Sequence, residues 1–188
     1  MTVAAVVLAA GGGSRFQGGT HKLLAPLRGR PVVAWALDAA AAAGLDELVV
    51  VTGAVDLTAG LRPGAIIVPN PAWEDGLASS LAAGIRAAAA AGHDSVVVGL
   101  GDQPFVAPDA WRAVAGAPAD PPIAVATYDG RSRNPVRLPA AVWPLLPARG
   151  DDGARSLIAG RPDLVQLVPC RAGHAADVDT QEDLRRWT

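Results

Sequence analysis

The chain has little that is aromatic, sulfur-bearing or strongly charged. A single cysteine, Cys170, cannot form an internal disulfide, which excludes a disulfide-stapled scaffold. Aromatic residues make up 4% of the 188 residues and apolar residues 51%, so alanine, valine and leucine must build the core, with the five tryptophans as its large pieces. No excess of one charge is present. The formal charge is −2 with acids and bases interspersed, which argues against a nucleic-acid surface or a polybasic membrane patch, and neither partner is expected. The longest helical apolar stretch is interrupted by Asp38 and Gly44, short of a membrane span. Met1 runs straight into a strand-like segment with no basic stretch before it. These absences leave a cytoplasmic protein acting on small molecules as the expectation, with one domain over residues 1–188 that buries about 70% of its unfolded surface.

What is present is alternation. Short β-branched runs at Val3–Ala9, Glu47–Thr52, Ala65–Val68, Ser95–Leu100, Ile123–Thr127 and Leu164–Val168 are separated by alanine-rich stretches of helical length. That is the pattern of βα units on a mostly parallel sheet, and near-continuous hydrophobicity suits strands covered on both faces. Pro31 at a first turn and Gly44 at a C-terminal cap frame a helix over Pro31–Ala43. Further helices are expected at Ser79–Ala91, Pro108–Ala115, Pro139–Leu146 and Gly153–Ala159, with Thr180 capping a last one that ends near Trp187. The proline-rich stretch Pro118–Pro122 reads as a connector.

The most informative stretch is "VVLAAGGGSRFQGGTHKLL", Val6 to Leu24. Keeping so many glycines ordered costs backbone entropy, which suggests a backbone that approaches a ligand. The dinucleotide fingerprint fails at Phe16 and the Walker pattern fails at Gly19. What remains is a strand, a glycine turn, Arg15, the Gly18-Gly19 pair and Lys22, in which backbone N–H groups and two cations can surround a polyphosphate. The competing reading is a flexible βα loop with solvated charges.

"LAAGGGSRF" followed by "KLLAPLRGRPVVAWAL" resembles the signature of nucleotidyltransferases of molybdenum cofactor biosynthesis, on the cytidylyl side of a family that also has guanylyl members. "NPAWEDGLASSL", "GLGDQPFV", "RNPVRLP", "GDDGAR" and "DVDTQEDL" follow in the family's order across nearly the whole chain. The resemblance implies an α/β fold, a single Rossmann-like three-layer domain of the nucleotide-diphospho-sugar transferase type, with its site at the carboxyl edge of the sheet. It implies nucleotide contacts from Leu8, Ala9, Ala10, Gly11, Gly12, Gly13, Ser14, Arg15 and Lys22. The implied partners are CTP and a molybdopterin-type acceptor, with a molybdenum hydroxylase as client. Two departures stand out: relatives often carry aspartate where this chain has His21, and Gly-His-Pro where it has Arg133-Asn134-Pro135.

The residues suit the chemistry. Attack of an acceptor phosphate on the α-phosphorus is catalysed largely by positioning and charge neutralisation. Such a phosphate, with a second pKa of about 6, is mostly dianionic at neutral pH and needs no strong base. A magnesium ion and fixed cations are needed. Asp102, between Gly101 and Pro104, is the expected Mg2+ ligand because hard carboxylate oxygen suits that ion; a turn-forming aspartate is its other reading. By resemblance Asp179 is the second ligand, with Asp177 as its rival. Arg15 and Lys22 would then meet the β- and γ-phosphates. Ser79 and Ser80 either reach the base or ribose or cap their helix. Arg131, Arg133 and Arg137 either meet an acidic acceptor or, at spacing two, form the solvated face of a strand; Arg155 at a helix start and Asn134 are further acceptor candidates. Cys170, His174 and Asp177 are too loosely spaced to define a zinc site, and Trp73 is expected near the nucleotide. A sugar-phosphate nucleotidyltransferase, or a cofactor carrier that binds nucleotide without turnover, remains open from the residues alone.

Overall fold

All seven residues of the first strand, β1 (Val3–Ala9), are buried, because both faces of the strand are covered. Alternation sorts its side chains. Val3, Ala5, Val7 and Ala9 enter one core with Val33, Leu37 and Trp111, whereas Ala4, Val6 and Leu8 enter another with Leu81, Ile85 and Leu157. The structure is a computed structural model that describes residues 1–17, 19–58 and 61–187. Gly18, half of the second glycine pair, lies outside the described residues.

Apart from a short antiparallel pair at Pro26–Leu27 and Arg30–Pro31, the remaining strands are β2 (Glu47–Thr52), β3 (Ile66–Pro69), β4 (Ser95–Leu100), β5 (Ile123–Tyr128), β6 (Arg131–Pro139) and β7 (Val165–Pro169). They form a seven-stranded sheet in the order β3-β2-β1-β4-β6-β5-β7. Strand β6 runs antiparallel to β4 and β5, and the other pairings are parallel. Helices α1 (Val32–Ala42) and α3 (Pro108–Ala115) cover one face, and α2 (Leu77–Ala90) and α4 (Arg155–Gly160) the other. The expected three-layer α/β fold is therefore observed, with a mixed sheet. A smaller apolar cluster joins Phe16, Leu27, Val32, Val178 and Leu184, and so ties the glycine loop to the last helix, α5 (Gln181–Trp187). Among the described residues no helix is long and apolar enough to cross a membrane.

Two expectations are corrected. Residues 131–139 form the longest strand among those described, although their arginines and prolines disguise it. Arg137 neither faces an acceptor nor is solvated. It is 2% exposed, and its guanidinium donates to the carbonyl oxygens of Ala115, Ala117, Pro118 and Pro122, pinning the proline-rich connector to the sheet. Residues 140–145, expected as an α-helix, are a 3-10 turn with Pro144 inside it.

Candidate active site

The site lies beyond the carboxyl ends of β1 and β4, adjacent parallel strands from which the chain departs to different parts of the sheet. From β1 the glycine loop leaves the sheet, closed by a bond from Phe16 N–H to the Gly13 carbonyl at 2.9 Å. Gly13 has φ of 62°, a left-handed conformation that favours glycine. From β4 the chain turns at Gly101, whose N–H donates to the Leu8 carbonyl at 2.9 Å. A Cβ on Gly101 would sit 3.0 Å from the Cβ of Ala9, so the turn carrying Asp102 packs directly on β1.

These turns converge on one charge cluster. Lys22 Nζ donates to Asp102 Oδ2 at 2.6 Å and to Asp179 Oδ1 at 2.8 Å. Arg15 reaches the other oxygen of Asp179 at 3.0 Å from a largely exposed position. Lys22 is only 12% exposed. Burial works against its ammonium, but Asp102 and then Asp179 outweigh that and hold the Lys22 pKa above its usual value. The sequence reading gave Lys22 to phosphate and the two aspartates to magnesium; the structure brings all three together, with the ammonium between the carboxylates.

Asp179 reaches the cluster because its segment is docked. Val178 N–H donates to the Asp102 carbonyl at 2.9 Å, and Asp183 accepts from the N–H groups of Asp179 and Thr180 in a reciprocal cap of α5. Asp177 points elsewhere: Gln103 Nε2 donates to it at 2.8 Å. Burial, and next the charge of Asp102, push the Asp177 pKa up.

Two cavities open here. The first, about 520 Å³, is lined by the glycine loop from Leu8 to Arg15, by Lys22, Asp102 and Asp179, and on the far side by Trp73, Leu77 and Ser80. Trp73 closes on the loop so tightly that a Cβ on Gly12 would lie 3.0 Å from the indole ring. Ser79 does not line this cavity. It donates to the Ala72 and Gly76 carbonyls, and Asn70 Nδ2 donates to both serine hydroxyls. The second cavity, about 320 Å³, gathers Arg133, Asn134, Arg155, Gln103 and Asp177 over an apolar floor. Leu8, Leu77 and Leu100 border both. Gln103 was not singled out in the sequence. It is 3% exposed with its Oε1 buried and unpaired, a state visible only in three dimensions.

A hard dication fits the donor set. Asp102 and Asp179 offer oxygen alone, and Asp102 Oδ1 is buried with no hydrogen-bond partner. Among the described residues no group of three or more His, Cys, Asp or Glu forms a self-sufficient metal centre, so a cation here would complete its shell with substrate oxygens and water. His174 belongs to a three-ring cluster with Phe105 and Trp187, every pair of ring centroids 4.7 Å apart and tilted, away from any zinc arrangement.

The comparisons with known proteins agree with this geometry. Residues 5–167 match the MobA-like NTP transferase domain. The chain is 34% identical to nicotine blue oxidoreductase of Paenarthrobacter nicotinovorans, across 98% of this chain and 95% of that protein. It is 35% identical to a molybdenum cofactor guanylyltransferase of Cereibacter sphaeroides, across 82% of this chain and 75% of the relative. Among solved structures, Rv0371c of Mycobacterium tuberculosis H37Rv in complex with manganese superposes with a TM-score of 0.78 at 30% identity, covering 100% of this chain and 98% of that one. By fold, by the glycine loop and by these matches, the chain belongs to the MobA-like NTP transferase family.

Proposed function

We propose that the chain transfers CMP from CTP to a molybdopterin-type acceptor, with magnesium, releasing pyrophosphate. The observation that carries this reading is the adjacency of the two cavities, which share Leu8, Leu77 and Leu100, with the Lys22–Asp102–Asp179 cluster lining the first. A triphosphate in the first cavity lies along loop N–H groups with Arg15 and Lys22 beside it. An anionic acceptor in the second meets Arg133 and Arg155, with Asn134 of strand β6 lining the same cavity. An acceptor phosphate oxygen attacks the α-phosphorus, the bond to the β-phosphate oxygen breaks, and pyrophosphate departs with that electron pair. Arg15 and Lys22 offset the charge that builds on the leaving group. Asp102 and Asp179 would hold the magnesium, which supplies charge neutralisation on the phosphates.

CTP rather than GTP rests on Ala10, which matches the cytidylyl branch where guanylyl relatives usually carry glycine. Ala10 is 2% exposed and lines the first cavity, with its carbonyl and Cβ packed against Gly53. The similarity to a guanylyltransferase makes this choice the sharpest point to test. The whole chain acts as one domain in this reading, and a molybdenum hydroxylase is the client that receives the product.

The deciding experiment is pyrophosphate release over a matrix of CTP, GTP, ATP and UTP against a molybdopterin-type acceptor and a set of sugar phosphates, with magnesium. Turnover is expected with CTP and the molybdopterin-type acceptor. Equal or better turnover with GTP overturns the base assignment. Turnover confined to sugar phosphates overturns the acceptor, and nucleotide binding without any turnover identifies a carrier.

A further inference from the structure

Behind the glycine loop stands His21, which the chemistry above leaves unused. Its ring touches backbone on both sides. Leu23 N–H donates to Nδ1 at 3.3 Å, and Nε2 lies 3.0 Å from the Gly11 carbonyl oxygen. An amide N–H only donates and a carbonyl only accepts, so the two bonds together select the neutral ring with its hydrogen on Nε2. Burial lowers the His21 pKa, in keeping with that form. The fit is close: a Cβ on Gly13 would lie 3.0 Å from Nε2, so any other residue at 13 would meet the ring.

The two backbones so joined have different tasks. Gly11 opens the loop that lines the first cavity, and residues 22–24 form the 3-10 turn, capped by His21, from which Lys22 projects. We propose that His21 is a positioning residue for nucleotide binding, a two-point clasp that fixes the distance between the amide-bearing loop and the Lys22 ammonium. Engaging the Gly11 carbonyl also keeps that oxygen bonded to protein, where a free carbonyl among phosphate-binding amides would repel an anion. The clasp rests on the nucleotide-binding reading of the loop.

Aspartate separates the two bonds. In His21→Asp the side chain still accepts from Leu23 N–H but has nothing to donate to Gly11. Equilibrium binding of magnesium CTP and magnesium GTP by calorimetry, steady-state kinetics, and amide hydrogen exchange over residues 11–16 without nucleotide are the readouts. In His21→Asp the better-bound nucleotide weakens about tenfold, the magnitude of one lost hydrogen bond. The loss appears in KM more than in kcat, and exchange in the loop quickens. In His21→Ala both KM and kcat suffer, and added imidazole restores binding by refilling the ring's place. Unchanged affinity together with unchanged exchange in His21→Asp overturns the clasp. Should the wild-type chain bind neither nucleotide, the nucleotidyl-transfer reading falls, and the exchange result still decides the clasp: faster loop exchange supports it, unchanged exchange overturns it.

Discussion

Lys22 Nζ lies 2.6 Å from Asp102 Oδ2 and 2.8 Å from Asp179 Oδ1, so a single ammonium bridges two carboxylates that lie 77 positions apart in the chain. The same oxygens are the ones a divalent cation would seek.

Competition follows. In Lys22→Ala, Mn2+ is expected to bind more tightly than in the wild type when nucleotide is absent, because the ammonium no longer occupies the carboxylates. Turnover nevertheless falls by about 10²–10³, the scale for losing one group that meets transition-state charge. Arg28→Ala is the control, since Arg28 bonds the Trp187 carbonyl and lies outside both cavities, and it is expected to change turnover little. Calorimetry with Mn2+ and pyrophosphate release read the two effects. Equal activity in the two variants would return the loop to a solvated role.

Asp102→Asn and Asp179→Asn should each remove most activity while leaving the fold intact, and the double variant should lose little beyond the worse single. Groups that act as a unit are non-additive, whereas independent ones would add. Thermal unfolding separates lost chemistry from lost packing. Wild-type turnover and magnesium dependence in Asp179→Asn, with both abolished in Asp177→Asn, would move the second ligand to residue 177.

Asp177 carries a pH signature of its own. Its pKa is raised in the folded state by burial and by Asp102, so the folded chain holds this proton more tightly than the unfolded chain does. The destabilisation from its charge therefore grows as pH rises from the ordinary value of 3.8 through the raised one, and persists above it. Asp177→Asn, which still accepts from Gln103, is expected to raise Tm at neutral pH and to lose that advantage below pH 3.8. Unfolding curves across pH for both proteins check this. A constant difference in Tm at every pH would assign the effect to packing.

Arg133 and Arg155 line the second cavity, whereas Arg137 is buried among carbonyls. Arg133→Glu and Arg155→Glu should raise KM for the acceptor while leaving KM for nucleotide near its wild-type value. Arg137→Glu should instead lower Tm, because it strands the connector carbonyls and buries an unpaired carboxylate. Parallel kinetics and thermal melts distinguish the two classes.

The sheet was legible wherever a strand is buried on both faces. Val3–Ala9, Glu47–Thr52 and Ser95–Leu100 coincide with their expected bounds because uninterrupted Val, Leu and Ala runs have no competing reading. Strand β6 was hidden for the opposite reason. Its N-terminal half is exposed, and Arg137 is satisfied by backbone carbonyls from a distant segment, a pairing that local pattern cannot show. The cavity-lining glycine loop could be read from composition because glycine and cation spacing is local. The pairing of Lys22 with Asp102 and Asp179, the contact of Trp73 with Gly12 and the unpaired oxygen of Gln103 depend on tertiary approach. So does the choice between Asp177 and Asp179: alternation separates them too little in sequence, and the Val178 bond to Asp102 fixes where each one goes.

The contact between Lys22 and Asp179 spans 157 positions of sequence, and the matched family domain stops at residue 167. The segment after residue 167 therefore completes both the charge cluster, through Asp179, and the apolar support of the glycine loop, through Val178 and Leu184. Such long-range closures are late events in folding. The docking point is exacting: a Cβ on Gly173 would come within 2.3 Å of the Phe105 carbonyl oxygen, so the tail fits against the body at one spot only with glycine there. A chain clipped before Asp179 would lose in one cut the second carboxylate on Lys22 and the apolar contacts of Val178 and Leu184 with Phe16.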